Sequence, residues 1–147
     1  MIELDDTIVV GINDHRLFSE GWHERTQDER SGVIYRPTDK EATFQMLLPG
    51  GPVEIAALIS ASVSLSRGPL RGSLLYQGKN LGDFLLDTEN WVIRRFSLPE
   101  APSGWAKLVW AIHNPFVPND TLQNRDFRRM GLNVASIRVE RGILHSS

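Results

Sequence analysis

The chain has 147 residues, 41% hydrophobic and 23% charged, with a formal net charge of −2, a pI near 6.1 and no cysteine. That is long enough for one domain with a full core and too apolar for disorder, while a duplex nucleic-acid binder needs a more basic surface. Without thiols, disulfides, thiolate catalysis and thiolate metal sites are excluded.

No apolar run approaches the roughly 18 residues of a membrane span. The acidic opening MIELDD is unlike a secretory leader, so a cytoplasmic protein is expected. A single domain over residues 1–147 is the simplest organisation.

In chain order, residues 4–12 alternate, with Leu4, Ile8, Val10 and Ile12 on one parity. Residues 14–31 read as irregular and polar, apart from Leu17, Phe18 and Trp22. A short strand over 33–36 stops at Pro37, and residues 41–48 point Ala42, Phe44, Met46 and Leu48 inward. Pro49-Gly50-Gly51-Pro52 reads as a hard break. Residues 53–65 form the clearest strand, with Val53, Ile55, Ala57, Ile59, Ala61, Val63 and Leu65 on one face.

Strands over 70–76 and 80–86 flank Gln77-Gly78-Lys79, a hairpin turn. Over 91–98 the bulky parity switches between Ile93 and Phe96, which predicts a bulge at Arg94 and Arg95. Residues 99–104 break the chain, and 105–113 resume with Leu108, Trp110 and Ile112 inward. After a second irregular stretch, in which 120–130 can form a short helix, the last strand runs over 132–140. There Asn133, Ala135, Ile137 and Val139 share a face. About nine short strands with regular turns predict an all-β protein, an antiparallel two-sheet β-sandwich of jelly-roll type.

Chemistry-bearing motifs are sparse. No phosphate-cradling glycine loop or nucleophile elbow occurs. The four histidines never reach metal-ligand spacing, and the carboxylates of Asp5, Asp6, Asp14 and Glu140 are not concentrated as a calcium site requires. No catalytic residue, metal or cofactor is assigned. Glu20, Glu24, Asp28 and Glu29 crowd one loop, where glycosidase chemistry would need a defined carboxylate pair. In that same loop Trp22, followed by His23 and Glu24, has two readings. It is a stacking platform for a sugar, or a plug at the open end of the sandwich with its N–H satisfied. Trp91, Trp105 and Trp110 read as core.

A succession of short motifs runs through the chain: Gly21-Trp22 with Glu24, then Tyr35-Arg36, then residues 77–80, then Asp126-Phe127-Arg128-Arg129-Met130-Gly131. Their order, from residue 4 to 140, resembles a domain of bacterial cell-surface polysaccharide biosynthesis that is often attached to glycosyltransferases. Tyr35-Arg36 reverses that domain's usual order and Met130 stands for leucine. The resemblance implies a non-catalytic jelly-roll accessory domain, similar to carbohydrate-binding modules, with a glycan or a glycosyltransferase as partner. Trp22, His23, Glu24, Arg36, Asp126 and Arg128 are its candidate ligand-binding residues. The same motif also has an architectural reading. Asp126 pairs with Arg36 or Arg128 to lock the loops, and Gly131 is required by a sharp turn.

Three functions stay open: a glycan-binding accessory domain, a structural or protein-interaction domain forming a homo-oligomer or binding a partner, and a carbohydrate-active enzyme working through Glu24 or Asp126.

Overall fold

The computed structural model describes residues 7–61, 68–115 and 131–141. They form β1 (Thr7–Val9), α1 (Asp14–Leu17), β2 (Thr26–Gln27), β3 (Ile34–Pro37), β4 (Glu41–Ser60), β5 (Leu70–Tyr76), β6 (Lys79–Leu86), β7 (Val92–Ile112) and β8 (Asn133–Arg141). Every pairing is antiparallel, in the order β2-β3-β8-β4-β7-β5-β6, with β1 on β8.

At 20 and 21 residues, β4 and β7 far exceed the usual strand. Each serves two layers. Residues 41–49 of β4 pair with 103–111 of β7, and residues 53–59 pair with 92–98. The second half of β4 takes β8 on its other edge, and the second half of β7 takes β5. One layer therefore holds β2, β3, β8 and the 53–60 and 92–98 halves; the other holds the 41–49 and 103–112 halves with β5 and β6. The result is the expected all-β, jelly-roll-like sandwich.

The two expected breaks are its corners. Pro49 lies opposite Ser103 and Gly51 opposite Ala101, and the register slips between Gly51 and Val53. Gly50, Gly51 and Gly104 have φ of 87°, 74° and 124°, a backbone that L-residues adopt only at a cost. Because the bend-forming residues of both strands sit at one level, β4 and β7 turn together and the ladder survives. Four expected strands thus become two, and the short β2, inside the stretch expected to be irregular, brings the described count to eight.

The expected bulge at Arg94 and Arg95 is not there. The ladder from Val92 to Leu98 runs without a slip, and Ile93 faces water. The slip falls in β8, where Ser136 pairs with Leu58 and Val134 with Ile59, leaving Ala135 as the extra residue. Val134 and Ile137 consequently both enter the core, and the simple alternation read from the sequence fails at that point. The 77–78 turn is as expected, with φ of 51° at Gln77 and 78° at Gly78, the pattern of a tight primed hairpin.

An aromatic chain ties the layers together. Phe44 stacks on Trp110 at 5.9 Å, and Trp110 meets Phe84 and Phe96 edge-on at 5.9 and 5.6 Å. Among the described residues the buried Trp110 indole nitrogen has no hydrogen-bond partner. At the margin, Asn13 caps the β1 edge: its side chain accepts from the Val9 N–H and donates to the Thr7 carbonyl. Local side-chain bonds of this kind occupy strand groups that would otherwise template pairing.

Residues Leu4, Asp5, Asp6, Val63 and Leu65, the 120–130 helix, Asp126 and Arg128 lie outside the described residues. Among those described, no helix is long and apolar enough to cross a membrane, and no group of His, Asp or Glu is arranged to hold a metal.

Candidate functional site

A cleft of about 130 Å³ opens on the outer face of the first layer, lined by Asp28, Arg30, Tyr35, Ser60, Ala61, Glu89, Trp91 and Asn133. Tyr35 lies on β3 and Trp91 immediately precedes β7, three places apart in the strand order. At about 4.8 Å per strand that is some 14 Å, yet the two rings are 5.4 Å apart, tilted by 59°. The sheet must curl and the rings must lean together over β8 and β4. Their floor is small and polar: Asn133 Nδ2 donates to Ser60 Oγ at 3.3 Å.

Asp28 holds one wall in place. Its Oδ2 accepts from the Trp91 indole N–H at 2.8 Å, and its Oδ1 accepts from the Arg30 backbone N–H at 2.9 Å. The carboxylate therefore closes its own turn in the β2–β3 hairpin while fixing a ring from a distant strand. The indole N–H, and after it the Arg30 N–H, keep Asp28 below its ordinary value of 3.8. It stays ionised, and its acceptor role holds, through mildly acidic pH.

The candidate residues Trp22, His23 and Arg36 form a neighbouring cluster built for anchorage. Trp22 stacks on Phe18 at 3.7 Å and 9°, and its Nε1 donates to the Thr43 carbonyl at 2.8 Å. Phe18 in turn meets Phe44 edge-on, so the indole is continuous with the core chain. Arg36 Nε donates to Asp14 Oδ2, and its Nη1 donates to the His23 carbonyl at 3.0 Å. The His23 N–H donates to the Pro37 carbonyl at 2.9 Å. Glu24 is exposed, and its carbonyl accepts from the Thr26 hydroxyl at 3.2 Å. Successive strand residues face opposite ways, so Tyr35 points to the cleft and Arg36 to this anchor. The ion-pair partner of Arg36 among the described residues is Asp14, a carboxylate that the sequence singles out only as one of four too dispersed for a calcium site.

Asp14 is 2% exposed. Burial is the largest single influence on its carboxyl and pushes it up. The Arg36 hydrogen bond, the Gly11 N–H at 2.8 Å and the Arg36 charge together outweigh that and hold it below 3.8. Gly131 is needed for a reason other than a sharp turn. Its N–H donates to the Thr38 carbonyl, and a Cβ there would stand 2.8 Å from both Ile112 Cγ1 and Thr38 Oγ1. The demand is close approach, at an ordinary φ.

Trp22 accordingly makes a poor probe of binding. Trp22→Ala is expected to cost about 2–3 kcal/mol, since it strips a half-buried ring from Phe18 and the core and removes one of the two donors to the Thr43 carbonyl, which keeps the Ser19 N–H at 2.8 Å; chemical denaturation measures it. An unchanged midpoint would show that the stack on Phe18 carries no stability.

No protein-family model and no curated protein matches this sequence. Solved structures do. A CBM35 from Cellvibrio japonicus aligns with a TM-score of 0.63 and 12% identity, over 92% of this chain and 93% of that one. A Xyl-CBM35 in complex with a glucuronic acid containing disaccharide gives 0.51 and 14%, over 92% and 93%. A ruminal GH26 endo-β-1,4-mannanase gives 0.57 and 13%, over 99% of this chain but only 27% of that enzyme. The shared property is the fold. This chain has a jelly-roll fold like that of carbohydrate-binding modules, and it spans about a quarter of the mannanase chain it matches.

Sequence reasoning missed Trp91 and Asn133 as cleft residues and noted Asp28 only as one of four loop carboxylates. A signal existed for Trp91: it follows Asp87-Thr88-Glu89-Asn90, a polar turn, and so emerges at the end of the sandwich. For Asn133 there was none, because the Ala135 bulge decides which way it faces.

Proposed function

We propose that this is a non-catalytic carbohydrate-binding domain that takes a saccharide ring against the joint aromatic face of Tyr35 and Trp91, whose rings adjoin at 5.4 Å, as an accessory to enzymes of cell-surface polysaccharide synthesis. The observation that carries the reading is the cleft's composition: two aromatic walls, an Asn–Ser floor, and a rim of Asp28, Arg30 and Glu89. Such walls suit the C–H face of a sugar, and a few fixed polar groups suit its hydroxyls. The fold shared with a module that holds a disaccharide supports the same class of ligand. In this reading Trp22, His23 and Arg36 are framework for the cleft, Glu24 is peripheral, and Asp126 and Arg128 are candidate contacts from the segment preceding β8. A glycosyltransferase is the proposed covalent or docked partner.

The test is a broad glycan array, followed by calorimetry on wild type and Trp91→Ala. Removing one stacking wall should weaken a hit by about tenfold or more, roughly 1.4 kcal/mol. Full affinity in the variant would move the site elsewhere.

One observation favours a second reading, a protein-interaction or self-association domain. Beside the cleft, mostly apolar grooves of about 480 and 230 Å³ share Val9, Leu58 and Ser136 and leave Ile12, Ile34 and Ile93 exposed. A silent array together with a concentration-dependent dimer would favour it.

A further inference from the structure

Three of the four tryptophans are accounted for by packing or a hydrogen bond; Trp105 is not. It lies within β7, yet it is 53% exposed. Its cross-strand partner is Leu47, which accounts for one side of the ring. The pairing of β5 with β7 ends at Tyr76 and Leu108, so Trp105 stands beyond the end of β5, where that strand no longer flanks it. The next pair on the same face is Gln45 with Lys107, both exposed, about 7 Å further along the strands. Lys107 has no carboxylate partner among the described residues, and the next acidic residue on this face, Glu41, is two cross-strand pairs beyond.

An open indole followed by an amide and an unpaired ammonium is a surface for a hydroxyl-rich chain. The ring offers a C–H stacking platform, while Gln45 and Lys107 offer donors to the hydroxyls of the adjoining unit. This face belongs to the second layer and looks away from the Tyr35–Trp91 cleft, on the far side of a core about 10 Å thick.

We infer that Trp105, Gln45 and Lys107 form a second saccharide-contact surface, which engages an extended polysaccharide chain and makes the domain bivalent. The inference rests on the carbohydrate-binding reading above, but its surface is independent of the cleft. A purely structural Trp105 would shield Leu47 and have no ligand.

The test is affinity electrophoresis of the intact protein in native gels containing soluble glucuronoxylan or galactomannan, comparing wild type, Trp105→Ala and Trp91→Ala. Thermal melts confirm that Trp105→Ala folds as wild type does. Retardation should fall about fivefold or more in Trp105→Ala, while any affinity for short saccharides found on the array stays unchanged. Retardation of Trp105→Ala equal to wild type overturns the inference, as does migration of the wild type unaffected by either polysaccharide. The cleft reading is judged separately, by the array and Trp91→Ala, so each can fail alone.

Discussion

Gly21→Ala is expected to leave the domain unfolded or more than about 4 kcal/mol less stable, the range reserved for outright steric conflict. Gly21 has φ of +87°, and a Cβ built there would lie 1.7 Å from the Glu41 carbonyl oxygen and 2.8 Å from Ala42 Cα. Both obstacles are backbone of β4 and cannot rotate aside. The Gly21 carbonyl also accepts from the Asp39 N–H, and the neighbouring Glu20 carbonyl accepts from the Thr43 N–H, so retreat would break the bonds that bind this loop to β4 and to the residue pair leading into it. Gly78→Ala is the control. It has a similar φ of +78° with nothing within 4 Å, and should cost only the left-handed conformational penalty of about 1–2 kcal/mol. Comparable denaturation midpoints for the two variants would refute the steric account. The conformational demand at Gly21 is also why glycine precedes Trp22: only that backbone lets the indole reach Phe18 and the Thr43 carbonyl.

Arg36→Ala should cost about 3–5 kcal/mol at neutral pH, because it leaves the buried Asp14 carboxylate without its counter-charge. Arg36 itself is a quarter exposed; the loss comes from Asp14. The pH dependence separates this from lost packing. In the wild type, Asp14 titrates below its unfolded value when folded. Its contribution to stability is complete above the unfolded pKa near 4 and disappears as pH falls through the folded one. In Arg36→Ala the burial that pushes Asp14 up loses its main opponent, and the folded carboxyl should titrate above its unfolded value. Stability of the variant relative to wild type should then recover as pH falls from 7 toward 4. Urea titrations at pH 7 and 4.5 decide it: a pH-independent difference would mean that the ion pair contributes little and the side-chain stem contributes the rest.

The alternation over residues 41–48 and 53–60 was enough to read the sandwich, because a half-buried strand has to repeat every second residue. What escaped were places where backbone geometry overrides composition. Proline and glycine at 49–52 and 99–104 have the local character of breaks, and only their position opposite each other makes them corners. The parity of the last strand was misread because the extra residue, Ala135, has no sequence signature. Trp105 was read as core because tryptophan usually is, and its exposure depends on where β5 ends. At the anchor, Trp22, His23 and Arg36 lie near one another, and Asp14 joins them from a one-turn helix 22 residues before Arg36. Tertiary contacts of that kind leave no periodic trace. The cleft was the least legible of all, since Tyr35 and Trp91 meet only through the curl of a sheet four strands wide.

The paired corners also constrain how the chain can vary. Pro49 and Gly51 lie opposite Ser103 and Ala101, so an insertion in one corner shifts every later residue of that strand against its partner. A shift of one residue turns the core face of the half-strand outward. The corner already absorbs one unmatched residue, since a single β4 position between Gly51 and Val53 faces two between Ala101 and Leu98; beyond that slip, length changes at 49–52 have to be matched at 99–104, roughly fifty residues downstream. Among descendants of this sequence the two corners should lengthen and shorten together, while the 77–78 turn, which closes its own hairpin, is free to drift alone.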